Sequence, residues 1–129
     1  MIIDSSALCA ILLDEPEAEH FTRIATGGER CLVGAVSAIE TAVVIESKKG
    51  DAGARELDLL LYKLEADIIP MDAGQYHLAR TAWRKYGKGR HPAGLNLGDC
   101  CSYALSQYTG ELLLFKGGDF PKTDVASVI

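Results

Sequence analysis

The chain has 129 residues, 48% hydrophobic and 24% charged: the length of one ordinary domain, with enough apolar side chains for a core that needs no disulfide or zinc staple. Thirteen Lys and Arg against eighteen Asp and Glu leave a formal charge of −5, which excludes a nonspecific coat on DNA and a polybasic membrane anchor. A nucleic-acid substrate stays open, because a bound metal ion reverses the sign locally.

Met1-Ile2-Ile3 is short and solidly apolar and stops at Asp4-Ser5-Ser6, which can cap a helix running to about Leu13. Asp4 interrupts this apolar start and no basic residue precedes it, so it reads as neither a signal peptide nor a membrane span. Residues 17–26 form a short helix closed by Gly27-Gly28, and 31–36 a buried strand. Ser37-Ala38-Ile39-Glu40 has capping-box spacing, with a helix following to about Lys49-Gly50. Between 51 and 64 the residues Ala54, Leu57, Leu61 and Leu64 recur at helical spacing. Asp67-Ile68-Ile69-Pro70 reads as a strand, and Asp72 caps a helix whose buried stripe would be Tyr76, Ala79, Trp83 and Tyr86. A helix over 97–108 would place Cys101, Ala104, Leu105 and Tyr108 on one face. Residues 112–115 and 125–129 read as the last strands. Solid apolar strands separated by helices mean an α/β fold, a parallel sheet covered on both faces. No repeat or linker divides it, so 1–129 is expected to be a single domain. Cys9, Cys31, Cys100 and Cys101 form no C-x-x-C pair and are expected to be reduced and buried, which points to a cytoplasmic protein.

In an open parallel sheet, ligands bind beyond the carboxyl ends of the strands. Asp4 follows the first strand directly, and Asp119 follows the strand at 112–115 through Lys116-Gly117-Gly118. Glu40 lies in the first turn after the strand at 31–36, and Asp99 near the start of its helix. Each acid alone is accounted for as a cap, a dipole partner or a turn residue. Four at one edge are not, because clustered carboxylates repel one another unless they hold a cation. Oxygen ligands without His or Cys suit Mg²⁺ or Mn²⁺ rather than zinc. A different acid-site phosphotransfer enzyme is a weaker alternative: Asp4 lacks the second acid two residues on that a haloacid-dehalogenase-like phosphatase shows, and Lys116-Gly117-Gly118 lacks the Walker pattern.

Four segments carry a resemblance to a known family. They are Met1-Ile2-Ile3-Asp4-Ser5-Ser6-Ala7-Leu8, Ser37-Ala38-Ile39-Glu40, Leu95-Asn96-Leu97-Gly98-Asp99-Cys100-Cys101-Ser102-Tyr103-Ala104-Leu105, and Leu114-Phe115-Lys116-Gly117-Gly118-Asp119-Phe120, with Thr123-Asp124 behind the last. In this order, and over essentially the whole chain, they resemble the PIN-domain ribonucleases, specifically the VapC-type toxins of toxin–antitoxin systems. The resemblance implies a three-layer fold with about five parallel strands ordered 3-2-1-4-5. It implies an Mg²⁺- or Mn²⁺-dependent endoribonuclease that leaves 5′-phosphate and 3′-hydroxyl ends. Asp4 and Asp99 would be the main metal anchors, with Asp119 and Glu40 completing the catalytic set directly or through water. The implied partners are an RNA substrate, a small VapB-like antitoxin and a second copy of the chain in a homodimer. A catalytically silent PIN-like RNA- or protein-binding module is the alternative; it would be expected to lack one or more of the acids, and all four are present.

Residues 83–92 hold four fixed positive charges in an otherwise acidic chain and lead into Asn96 and Asp99. Lys88 and Arg90 are the candidate contacts to RNA phosphates, with an aromatic available for base stacking. A solvated helix end, with Trp83 and Tyr86 in the core stripe, is the plainer account. Ser5, Ser6 and Thr123 are candidates for orienting carboxylates or water, and Lys116 for touching phosphate or offsetting the acids. His20, His77 and His91 have no partners at ligand spacing and read as surface residues. Leu8, Ile11, Leu12, Phe21 and Ile24 offer either core packing or a groove for an antitoxin helix.

Overall fold

In the computed structural model, which describes residues 1–129, four short parallel strands lie in the order β3-β2-β1-β4. They are β1 (Ile2–Ile3), β2 (Leu32–Gly34), β3 (Asp67–Ile69) and β4 (Leu113–Leu114), with Ile2 paired to both Leu32 and Leu113. Because successive side chains in a strand point to opposite faces, the apolar runs serve two cores. Ile2, Leu32 and Leu113 face one layer with Tyr86, Cys100, Tyr103 and Leu105. Ile3, Val33 and Leu114 face the other with Ala7, Leu8, Phe21 and Ala25. The first layer is α4 (Ala73–Tyr86) packed on α5 (Leu97–Thr109); the second is α1 (Ser5–Leu12) with α2 (Ala18–Ala25). This doubly covered sheet is why the strands read as continuous apolar segments rather than alternating ones.

The expected fifth strand is reduced to one parallel bridge, Leu113 to Ser127. Leu113 donates to the Ala126 carbonyl at 2.8 Å and accepts from Val128 at 3.0 Å, so the segment sits where a fifth strand would but is too short a pairing to extend the sheet. The strand expected over 31–36 stops at Gly34, and the next helix begins at Ala35 with Gly34 as its N-cap. Ser37 therefore lies inside the helix, and no capping box forms between it and Glu40. The two helices expected between 37 and 64 are present as two helical runs within α3 (Ala35–Lys63), meeting at a kink at Gly50. There φ is 61° and ψ −145°, a conformation strained for any residue with a Cβ.

The stripe expected on α4 is corrected in part. Tyr86 is buried, but Tyr76 and Trp83 are 49% and 44% exposed, and Gln75 and Ala82 occupy the inward positions instead. On α5, Tyr108 is likewise exposed, while every residue from Gly98 to Ser106 except Asp99 is buried. All four cysteines are free; three are buried and Cys9 is half-buried. His91 is half-buried rather than on the surface, its Nδ1 accepting the Ala93 N–H at 3.0 Å. Leu8 and Phe21 are spent in the core, which removes them from any groove, while Ile11 and Ile24 are partly buried against that core. No helix is long and apolar enough to cross a membrane.

Candidate active site

Asp4 leaves β1 at its carboxyl end and caps α1 in the same step. Its Oδ2 accepts the Ser6 N–H at 3.0 Å and the Ser6 hydroxyl at 2.6 Å. The side chain is only 2% exposed, a cost that must be met by hydrogen bonds. The remaining oxygen, Oδ1, is met by the hydroxyl of Ser102 on α5, and Ser102 Oγ lies 3.0 Å from Ser37 Oγ on α3. Ser6 Oγ in turn accepts the N–H of Lys116, just after β4. One carboxylate is thus tied to α1, α5 and the β4 turn.

Glu40 and Asp99 face the same small polar cavity as Asp4, about 240 Å³ in volume, with Ser5, Cys9 and Asn96 also in its wall. Glu40 is brought there by α3 beginning at Ala35, which sets its side chain toward the start of α5. Its carboxylate lies over Gly98, where any Cβ would overlap both oxygens. The N-terminus of α5 is an electrostatically favourable place for a carboxylate, and the Ser5 hydroxyl donates to Glu40 at 3.4 Å. Asp99 forms the capping box that Ser37 and Glu40 do not. The Asn96 N–H donates to Asp99 Oδ2 at 3.1 Å, and the Asp99 N–H to Asn96 Oδ1 at 2.9 Å. The acids also act on each other's protonation. Burial first, then the charges of Asp4 and Asp99, raises the pKa of Glu40. Burial likewise raises Asp99, with Asp4 and Asp119 adding to the shift and the Asn96 N–H opposing it.

Asp119 is exposed at the start of a 3₁₀ turn (Phe120–Lys122) and stands beside this cavity rather than in its wall, although its charge reaches Asp99. Lys116 is committed elsewhere, bridging Glu15 at 3.0 Å and Glu17 at 3.4 Å. Thr123 caps its own turn, its hydroxyl donating to the Phe120 carbonyl. Lys88 and Arg90 lie on the segment after α4, which Gly87 and Leu95 pin by a parallel bridge, with the Lys88 N–H donating to the Leu95 carbonyl. Both are exposed and neither forms a salt bridge.

No three of the acids stand close enough to hold an ion by themselves. Cys9, the one sulfur in the cavity wall, has its thiol pushed up by burial and by Asp4, so it offers no thiolate. What is left is oxygen-only, strained by like charge, and open on one side. That suits a hard ion that keeps several of its own waters and takes only one or two carboxylates, as Mg²⁺ does.

Residues 1–126 match the family profile described as PIN domain. Ribonuclease VapC30 of Mycobacterium tuberculosis is 51% identical over 128 residues, covering 99% of this chain and 98% of that one. Ribonuclease VapC of Mycolicibacterium smegmatis is 52% identical over 128 residues, covering 99% of each.

The chain belongs to the VapC ribonucleases of the PIN-domain family.

It is therefore an endoribonuclease of the toxin class. Among solved structures, the M. tuberculosis toxin VapC20, described as cleaving the sarcin–ricin loop, superimposes with a TM-score of 0.79 over 98% of this chain and 97% of that one. At 15% identity that likeness speaks for the fold alone. Within the VapC architecture, the contacts that Ser37, Asn96, Gly98 and Ser102 make at the acids were not expected from the sequence, where Ser37 reads as a helix cap for Glu40. Asn96 had a signal, since N-x-x-D ahead of an apolar run has capping-box character. Ser37 and Ser102 had none, because their meeting across 65 residues is a tertiary event.

Proposed function

We propose that this VapC ribonuclease is an Mg²⁺- or Mn²⁺-dependent toxin in which Asp4 and Asp99 hold the ion, with Glu40 and Asp119 completing the catalytic set. The observation that carries this reading is the convergence of Asp4, Glu40 and Asp99, from three separate elements, on one polar cavity where burial and mutual charge raise Glu40 and Asp99. A cation beside these acids would offset their mutual repulsion and favour their ionised forms. When bound, the ion supplies a polarised phosphate oxygen and an acidified water.

The chain's own residues do the rest. Ser6 and Ser102 fix both oxygens of Asp4, so its orientation does not depend on substrate. Asn96 fixes Asp99 through the capping box. Glu40, its pKa raised by burial and by the charges of Asp4 and Asp99 and with only a long contact to Ser5, is the acid of the cavity wall least held by hydrogen bonds and best placed to exchange a proton. Lys88 and Arg90, unpaired and next to Asn96 in the chain, would hold RNA phosphates on the approach to the acids. Residues 1–129 act as one PIN unit in this reading. A small VapB-like antitoxin and a homodimeric toxin belong to it as well; what supports a protein partner is the exposure of Ile39 and Val43 on α3, flanking Glu40.

The test is cleavage of total cellular RNA by the purified protein, freed of antitoxin, with Mg²⁺, Mn²⁺ or EDTA and with Asp99→Asn in parallel. Discrete fragments that need the metal, carry 5′-phosphate ends and vanish in the variant are expected. Fragments that persist in EDTA, or in Asp99→Asn, would overturn the assignment.

A further inference from the structure

Beside the acids lies a second, larger cavity of about 590 Å³ between α4, α5 and the start of α3. Asn96 belongs to the walls of both. The larger cavity is lined by the rings of Tyr76 and Trp83 and by Arg80, Arg84 and Lys88, over an apolar floor that includes Leu95 and Cys100. No Asp or Glu lines it, in a chain that carries eighteen of them. Tyr76 and Trp83 are 49% and 44% exposed, so both rings offer stacking surface on this wall.

The rings are held ready. A Cβ at Gly87 would overlap the Trp83 indole, so glycine there lets the ring lie against the backbone in one position. The Arg90 guanidinium sits 4.2 Å from the Trp83 ring centroid, and Arg80 5.5 Å from that of Tyr76. The Asn96 carboxamide has its oxygen taken by the Asp99 N–H, and its NH₂ has no protein partner. That leaves a hydrogen-bond donor on the wall shared with the acids.

From this arrangement we infer that the Tyr76–Trp83 cavity is a nucleobase subsite: it takes one unstacked base of the RNA, next to the phosphate presented to the acids. The aromatic faces supply stacking, Arg80, Arg84 and Lys88 hold the flanking phosphates, and the Asn96 NH₂ meets an acceptor on the base edge. A cavity of this volume is of the size that small ligands fill. The absence of acids and the ring of cations favour a polyanion over the apolar helix of a protein partner. Aromatic stacking combined with cations is the way single-stranded RNA is held without strict sequence readout. The inference rests on the nuclease reading for its choice of substrate.

Trp83 is the single tryptophan of the chain, so its fluorescence reports the cavity directly. The wild-type protein, in EDTA to prevent turnover, is titrated at 0.15 M salt with an octa-riboadenylate and with an abasic octaribonucleotide carrying the same phosphates. Cleavage of total RNA in Mg²⁺ is measured on the same preparation. The expected result is saturable quenching by the octa-riboadenylate and binding roughly tenfold tighter than the abasic strand, in line with the stacking of a single base. With the two strands carrying a 5′ fluorescein and binding read by its anisotropy, Trp83→Phe should keep that preference and Trp83→Leu should lose it, with the abasic strand bound equally by both. Cleavage without quenching, and with equal affinity for the two strands, would overturn the subsite while leaving the nuclease reading in place. Quenching without cleavage in Mg²⁺ would support the subsite and sink the proposed assignment of the acids to a metal-dependent cut. Neither quenching nor cleavage would remove both. A fluorescence change produced by the antitoxin and not by RNA would assign the cavity to the protein partner, and the inference would fail.

Discussion

Ser102 donates its hydroxyl to Asp4 across 98 residues of chain, and it is the contact that lets α5 hold a carboxylate belonging to β1. Asp4 is almost wholly buried, and Ser6 already engages its other oxygen. Removing the Ser102 hydroxyl leaves a buried carboxylate oxygen without its donor and Ser37 without its partner. Ser102→Ala should lower stability by about 1–3 kcal/mol, the cost of leaving such a group unmet. It should also raise the metal concentration needed for half-maximal cleavage by roughly 10–100-fold, as loss of a supporting hydrogen bond at a metal site does. Denaturant unfolding and a metal titration of the cleavage rate measure the two separately.

Gly98 sits in the first turn of α5, where alanine is ordinarily the better helix former by up to about 1 kcal/mol. Here the Glu40 carboxylate occupies the space a methyl group would need. Gly98→Ala should therefore bring no gain in thermal stability and a marked fall in cleavage, because Glu40 must move. A variant that melts higher and cleaves normally would show that Glu40 does not depend on this contact.

Glu40 titrates above the ordinary glutamate range because burial and the charges of Asp4 and Asp99 disfavour its ionised form. An acid with a raised folded pKa lowers stability at pH values above that pKa, and the loss is absent below the unfolded pKa. In EDTA, Glu40→Gln should therefore melt higher than wild type at neutral pH. The gap should close as pH falls through the ordinary glutamate range. Added Mg²⁺ should narrow it at neutral pH by stabilising the wild type. The variant should not cleave RNA.

Tyr103, buried on α5, donates its hydroxyl to Asp124, which also lies 3.6 Å from Lys85. The Tyr103 bond, more than the Lys85 charge, holds Asp124 below the usual aspartate range. An acid with a lowered folded pKa contributes stability above its unfolded pKa that is lost as pH falls through the folded value. Tyr103→Phe should cost about 0.5–1.5 kcal/mol at neutral pH, toward the lower figure because Asp124 is half exposed. The difference should fade in strong acid, as thermal melts across a pH series would record.

Lys88 and Arg90 make no salt bridge, so reversing both charges should cost little in folding beyond the contact of Arg90 with the Trp83 ring. If each holds one phosphate of single-stranded RNA, the slope of log affinity against log salt should shrink by about 0.7 per contact in Lys88→Glu, Arg90→Glu. An unchanged slope in the double variant would show that RNA reaches the acids by another path.

The parallel α/β architecture was legible from the apolar runs alone, because strands covered on both faces read as unbroken hydrophobic segments. The acids were legible as well: Asp4, Glu40 and Asp99 stand where strands end and helices begin, and the fold brings those ends to one edge. Boundaries were less so. The capping box expected at Ser37 and Glu40 lies at Asn96 and Asp99, since both sets share the spacing and only tertiary packing decides which is realised. Tyr76 and Trp83 fit a helical core stripe by periodicity, yet the neighbouring helix accepts Gln75 and Ala82 instead.

By itself, then, the order of residues determined the layering of the fold and brought Asp4, Glu40 and Asp99 to one edge, since both follow from local hydrophobic period and the chemistry of helix starts; that Asp119 stays outside the cavity wall was not legible. Only the tertiary structure decided how those carboxylates are held. The hydroxyls of Ser37 and Ser102, the open surface of Gly98 beneath Glu40, and the half-exposed rings beside Asn96 each depend on contacts between segments far apart in the chain. No local pattern encodes such contacts, because hydrogen bonds and close packing are set by where side chains arrive, not by what surrounds them in sequence.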